Sequence, residues 1–194
     1  MARICSLRMN VSRDRALATF RPPGPVGLLR TWRSGPLRCI ADTYLPFFLF
    51  RVRIDNAARQ EERLLALDGV HGTLDLYTLR SPPQPEEIEE LETRNLVEPA
   101  LDPTTAAAIV TEKVRRIVFA TGFFKIRELH IRPEAVRLDL HIPYWIGFSG
   151  RGEAASIAVL DAIRGKLEGP KVRKLFTEWL VSSGRILTAA DHQP

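Results

Sequence analysis

Apolar residues in this chain recur with two periods, and each period marks out its own elements. Phe50, Val52 and Ile54 alternate with Arg51 and Arg53 in a stretch that opens near Tyr44, which is the period-two pattern of a half-buried strand. Asn56 to Glu62 is polar and turn-like, and Leu64 to Leu67 resumes the apolar run. The stretch Asp68-Gly69-Val70-His71-Gly72 then turns, and Thr73 to Leu79 reads as a third strand. Further on, Leu129 and Ile131 lie on one arm of an expected hairpin. Val136, Leu138, Leu140 and Ile142 lie on the other, alternating with Arg137, Asp139 and His141 and joined through Arg132-Pro133-Glu134. The glycine-rich Gly147 to Gly152 leads into a strand over Ser156 to Leu160.

Helical spacing occurs in two places. Ile109, Val110, Val114, Ile117 and Val118 form one side of a helix expected over 104–120, capped by Thr104 or Thr105 and closed near Gly122. Val172, Leu175, Phe176, Trp179 and Leu180 fall at i, i+3, i+4, i+7 and i+8 of a helix expected over 170–181. The acidic stretch Glu86 to Val97 also reads as helical, with Pro85 near its N-terminus. Residues 21–36, with four prolines and three glycines, read as an extended connector. Together these elements predict an α+β fold: an antiparallel sheet, or two related small sheets, packed by two main helices.

Two segments of the chain resemble each other. Leu67 to Asp75 aligns without gaps on Leu160 to Glu168, with four of nine positions identical, and Leu45-Pro46-Phe47-Phe48 matches Ile142-Pro143-Tyr144-Trp145. The Pro-to-Asp spacing is 22 residues in the first copy and 18 in the second. This suggests a 41–188 domain built as a tandem of halves, 41–98 and 123–182, joined by the helix at 104–120. A flexible basic arm over 1–40 would precede it and a 189–194 tail would follow. Recurrence of Asp and Gly wherever strands turn is the competing explanation. The strand–hairpin–strand pattern ending in Leu160-Asp161-Ala162-Ile163-Arg164-Gly165-Lys166-Leu167-Glu168-Gly169 resembles uncharacterised bacterial proteins with PepSY-like modules. That resemblance implies a small antiparallel sheet with helices on one face, acting through binding and not catalysis. The first copy departs from it, with Phe50 in place of Gly147.

Charge separates the arm from the body. The 194 residues carry a net charge of +5, but residues 1–40 alone hold eight Arg and one acid, so the remainder is slightly acidic. An Arg-rich, acid-poor start fits a targeting segment, a disordered tail, or a true start at Met9, and the last two are the simpler readings. The longest apolar run, Tyr44 to Phe50, contains Pro46 and is far short of the ~20 residues of a membrane helix. Cys5 and Cys39 form no C-x-x-C pair, which fits a reducing compartment and a soluble, cytoplasmic protein.

No catalytic residue can be assigned, and no cofactor or metal is expected: the four histidines, His71, His130, His141 and His192, have none of the spacings that let ligands converge. The Gly147 to Gly152 stretch leads into a strand, so it lacks the helix N-terminus of a phosphate loop. A binding surface is the alternative. In the hairpin reading, His130 faces Arg137 across the ladder, and Asp139 and His141 share that face; a solvated sheet face is the simpler account of the same residues. Tyr144 and Trp145 point to opposite faces, so one of them could contact a partner, although burial of both is favoured. Lys113, Arg115 and Arg116, with Lys125 and Arg127, form a basic stripe that could meet nucleic acid. Three function classes follow. The first is a non-enzymatic binding or scaffold module using a sheet face or edge, with a protein partner or homo-oligomer. The second is a nucleic-acid-associated factor using the arm and stripe, and the third is a small-molecule enzyme.

Overall fold

The computed structural model describes residues 1–56, 59–122, 128–150 and 155–184. The strands are β1 (Ala2–Leu7), β2 (Leu37–Asn56), β3 (Arg59–Asp68), β4 (Tyr77–Leu79), β5 (Ile88–Thr93), β6 (Leu129–Ser149) and β7 (Ser156–Asp161). The helices are α1 (Arg13–Phe20), α2 (Pro25–Ser34), α3 (Pro103–Gly122) and α4 (Pro170–Ser182). The seven strands form one sheet in the order β4-β3-β2-β6-β1-β5, with β7 also paired to β6. The class is α+β, as expected, but the sheet is mixed: β1 runs antiparallel to β5 and parallel to β6. Among the described residues four helices accompany it: the two expected, α3 and α4, and in addition α1 and α2.

The chain divides into two compact units, each assembled from two separate segments of the sequence. Unit 1 comprises Met1–Leu7 and Leu45–His141, and unit 2 comprises Arg8–Tyr44 and the residues from Ile142 onward. In unit 1, Phe48, Phe50, Val52 and Ile54 of β2 form the core with Leu65 and Leu67 of β3 and Ala106, Val110 and Val114 of α3. Strand alternation supplies the first set and helical periodicity the last. In unit 2, Val11, Ala16 and Phe20 pack with Trp145, Leu160 and Ala162. There the Phe176 ring also meets Tyr144 edge-on, with centroids 5.3 Å apart.

The segment expected as a flexible arm carries β1, α1 and α2. Ile4, Leu7, Val11, Ala16 and Phe20 are all buried, and Met9 lies after a complete strand. The expected connector at 21–36 contains α2, which Pro25 opens as its first residue and two positive-φ glycines, Gly24 and Gly35, bracket. The acidic stretch after Pro85 gives one 3-10 turn and then β5, because β1 supplies a strand to pair with. Thr73 to Leu79 yields only the short β4. Of the polar Asn56 to Glu62 stretch, Asn56 belongs to β2 and Arg59 to Glu62 to β3, while residues 57 and 58 lie outside the described residues. Asp102 caps α3, accepting from Thr104 N at 2.9 Å and Thr105 N at 3.0 Å, where Thr104 or Thr105 was expected to do so. Of the expected Gly147 to Gly152 turn, Arg151 and Gly152 lie outside the described residues.

The two units share detailed local geometry. In unit 1, Phe47 pairs with Asp68, the Gly69 N–H donates to the Pro46 carbonyl at 2.8 Å, and the Gly69 carbonyl accepts from Ala100 and Leu101 just ahead of the Asp102 cap. In unit 2, Tyr144 pairs with Asp161 and the Ala162 N–H donates to the Pro143 carbonyl at 3.1 Å. The Ala162 carbonyl accepts from Asn10 and Val11 just ahead of the Ser12 cap of α1.

Candidate functional site

β6 holds most of the residues singled out as candidates, and its course changes their relation. Arg132-Pro133-Glu134 does not turn: Leu129 to Ser149 is one strand of 21 residues. His130 therefore does not face Arg137 across a ladder. Seven residues of strand separate them by about 23 Å, and alternation puts them on opposite faces. Proline tolerates this position because an edge strand needs no donor on its open side.

Arg137, Asp139 and His141 do share a face of β6. Arg137 donates to both carboxylate oxygens of Asp139, from Nε at 2.7 Å and from Nη2 at 3.3 Å. The guanidinium holds the Asp139 carboxyl below its ordinary value, and the carboxylate raises Arg137 in turn, with the Cys5 side chain a lesser influence on both. Two residues on, the chain enters the interior. His141 is buried, and its Nδ1 lies 3.0 Å from the Cys5 carbonyl oxygen. Burial pushes the imidazole below its ordinary value, against the upward pull of the backbone groups of Cys5 and Asp139. The ring is therefore a neutral, structural tie between β6 and β1. His130 is exposed and stands apart from it.

Tyr144 and Trp145 are both buried, so neither offers a free surface. The indole Nε1–H donates to the Val11 carbonyl at 2.9 Å, satisfying the one polar atom of a large apolar side chain. The basic stripe is largely engaged as well. Lys113 donates to the Leu74 carbonyl, and Glu112 pairs with Arg115 at 3.0 Å and with Arg116 at 3.4 Å. Lys125 and Arg127 lie outside the described residues.

Enzyme chemistry would need an acid or base in a cavity. Asp139 is exposed, and Asp161, though fully buried, lines neither of the two cavities described in unit 2, of about 380 and 340 Å³. Glu168, whose carboxyl burial raises above its ordinary value, does line the second, beside Arg173. The Asp161 carboxylate serves its own turn, accepting from Ile163 N at 2.7 Å and Arg164 N at 2.8 Å. Asp68 does the same in unit 1 for His71, Gly72 and Leu74. Among the described residues, no group of three or more His, Cys, Asp or Glu side chains could hold a metal ion.

The feature sequence reasoning missed is the edge itself. Within unit 1, β1 meets β6 at Leu140 and His141, and among the described residues it does not extend to the Leu129–Asp139 stretch. Asp55 of β2 approaches Arg132 to 4.0 Å on the strand's other side. Ala135 to Asp139 then form a shallow surface patch in which Val136 and Leu138 remain 40% and 37% exposed. Apolar residues exposed along a strand edge that no neighbour covers invite another strand. The signal was available as the Val136/Leu138 alternation, but the expected turn at Pro133 hid it. No family model, curated protein or solved structure matches the chain.

Proposed function

We propose that the chain is a non-enzymatic scaffold module, built from two related halves, that associates with a second copy of itself by pairing β6 edges. The observation carrying this is the exposed stretch Ala135–Asp139, which has Val136 and Leu138 on one face and a closed Arg137–Asp139 ion pair on the other. Strand addition at an open edge draws its affinity from main-chain hydrogen bonds and its specificity from alternate side chains.

Geometry restricts the register. In a symmetric antiparallel pair, the residues facing each other must present their backbone groups the same way, so the two-fold axis passes through a residue. An axis at Arg137 spans Ala135–Asp139, of which four are exposed and Arg137 is half-buried, and stops short of Pro133 and of the Leu140–Cys5 pair. This pairing needs Ala2–Ile4, which precede that pair on the parallel β1 and bond to β5, to stand clear of the incoming strand. It sets Val136 of one copy opposite Leu138 of the other, twice over. Each Arg137 at the axis is already neutralised by its own Asp139 at 2.7 Å and gains the other copy's Asp139 as a diagonal neighbour. An axis at Leu138 or further on runs into β1.

The matching turn geometries of the two units, from the Pro46–Gly69 and Pro143–Ala162 bonds to the capped helices, support the duplicated origin. Sedimentation equilibrium tests the association. The wild-type chain is expected to sediment as a dimer and the double variant Val136→Lys, Leu138→Lys as a folded monomer. A wild-type monomer at all concentrations would overturn the proposal.

A further inference from the structure

Helix α2 in unit 2 turns its apolar side outward. Leu28, Leu29 and Trp32 are 74%, 62% and 86% exposed, and at 100° per residue they fall within an arc of about 100°. A single exposed leucine is ordinary, but a Trp and two Leu side by side on one short helix form a patch that calls for a partner. The inner side is built for close approach. A Cβ at Gly27 would run into the Pro22 carbonyl oxygen, and the helix is held at both ends by positive-φ glycines, Gly24 and Gly35. The outward apolar face is thus a fixed consequence of how the helix is seated.

Charge identifies the partner. Between Asp14 and Asp42 the sequence contains no acid and five Arg: Arg15, Arg21, Arg30, Arg33 and Arg38. A second copy of this helix would be repelled by the same charge. An anionic bilayer surface matches both features, since Trp and Leu partition to the interfacial depth while guanidinium groups meet lipid phosphates. Among the described residues no helix is long and apolar enough to cross a membrane, so the contact is peripheral.

We infer that α2 is a membrane-surface anchor that inserts Leu28, Leu29 and Trp32 into the headgroup region of a bilayer containing anionic phospholipid. The site is separate from the β6 edge, and either can fail without the other.

Co-sedimentation with phosphatidylcholine vesicles, with and without phosphatidylglycerol, tests this on the full chain. The wild type is expected to bind only the anionic vesicles and to be released by high salt, because the charge term is screened. The triple variant Leu28→Ser, Leu29→Ser, Trp32→Ser alters only exposed side chains. It is expected to bind on the order of 100-fold more weakly, the loss of a few buried apolar groups, with unchanged circular dichroism. Failure of the wild type to bind, or equal binding of the triple variant, would overturn the inference. So would equal binding to neutral vesicles, which would remove the role of the arginines.

Discussion

The two turn carboxylates occupy matching positions in the two units, yet replacing each with its isosteric amide should have different consequences. Asp68 is fully buried, and both of its oxygens are used: Oδ1 accepts from His71 N at 2.9 Å and Gly72 N at 2.8 Å, and Oδ2 from Leu74 N at 2.9 Å. In Asp68→Asn one oxygen can still serve the first two donors. The new amide NH₂ would then point at the Leu74 N–H, leaving a buried donor facing a donor. A hydrogen bond to a charged group contributes about 1.5–3 kcal/mol, and the stranded donor adds to the loss, so the variant should be destabilised by about 2–4 kcal/mol. Asp161 is equally buried, but Oδ1 alone takes both turn donors, at 2.7 and 2.8 Å. Oδ2 has no hydrogen-bond partner, and the Arg164 guanidinium is 4.0 Å away. Asp161→Asn keeps both backbone bonds, places its NH₂ where no donor is within hydrogen-bond distance, and gives up only the 4.0 Å contact with the half-exposed Arg164, so its cost should stay below that of Asp68→Asn, at about 1 kcal/mol. Urea titrations of both variants, read at the midpoint with the slope checked for constancy, measure the difference. Amide exchange at Leu74 should accelerate in the first variant. Equal costs for the two substitutions would refute this account of the turns.

Three further outcomes follow from local geometry. Because burial holds His141 below the ordinary histidine value of 6.5, the unfolded chain binds a proton more readily than the folded one below that pH. Stability contributed by this residue is therefore present above about pH 6.5 and lost on acidification, by at most about 1.4 kcal/mol per pH unit, and His141→Gln should flatten the profile between pH 7 and 5.5. Gly72 has φ +65° and a Cβ there would meet Ile109 Cδ1 at 2.9 Å, so Gly72→Ala should cost about 1–3 kcal/mol in the same urea titration. Trp145→Phe leaves the Val11 carbonyl without its 2.9 Å donor and opens space beside Ala162, which should lower stability by about 1–3 kcal/mol by calorimetry without changing the far-ultraviolet dichroism.

How far the sequence was readable depended on where each element finds its partner. α3, α4 and β7 declare themselves through their own apolar period and lie within a few residues of their expected limits. The Asp68 and Asp161 turns are also local, since their hydrogen bonds span two to six residues. β1 and β5 were not readable, because each becomes a strand by pairing with the other more than 80 residues away, and the glutamates of β5 suggest a helix when seen alone. Pro133 was misread for a related reason: proline signals a turn in isolation, but on an open edge its missing N–H costs nothing. The candidate site followed the same division. Arg137, Asp139 and His141 were correctly grouped by alternation, whereas the edge beside them depended on where the pairing of β1 with β6 begins, at Leu140.

Disulfide trapping tests the self-pairing of β6 most directly. With Cys5 and Cys39 replaced by Ser, the substitution Arg137→Cys places one thiol on the two-fold axis opposite its own copy. Facing residues of an antiparallel pair lie about 4.5–5.5 Å apart at Cα, within disulfide range. Pairing in the register centred on Arg137 predicts rapid formation of a covalent dimer under mild oxidation, while His130→Cys in the same background stays monomeric on a non-reducing gel. A monomeric Arg137→Cys protein, or equal cross-linking of the two variants, would contradict it.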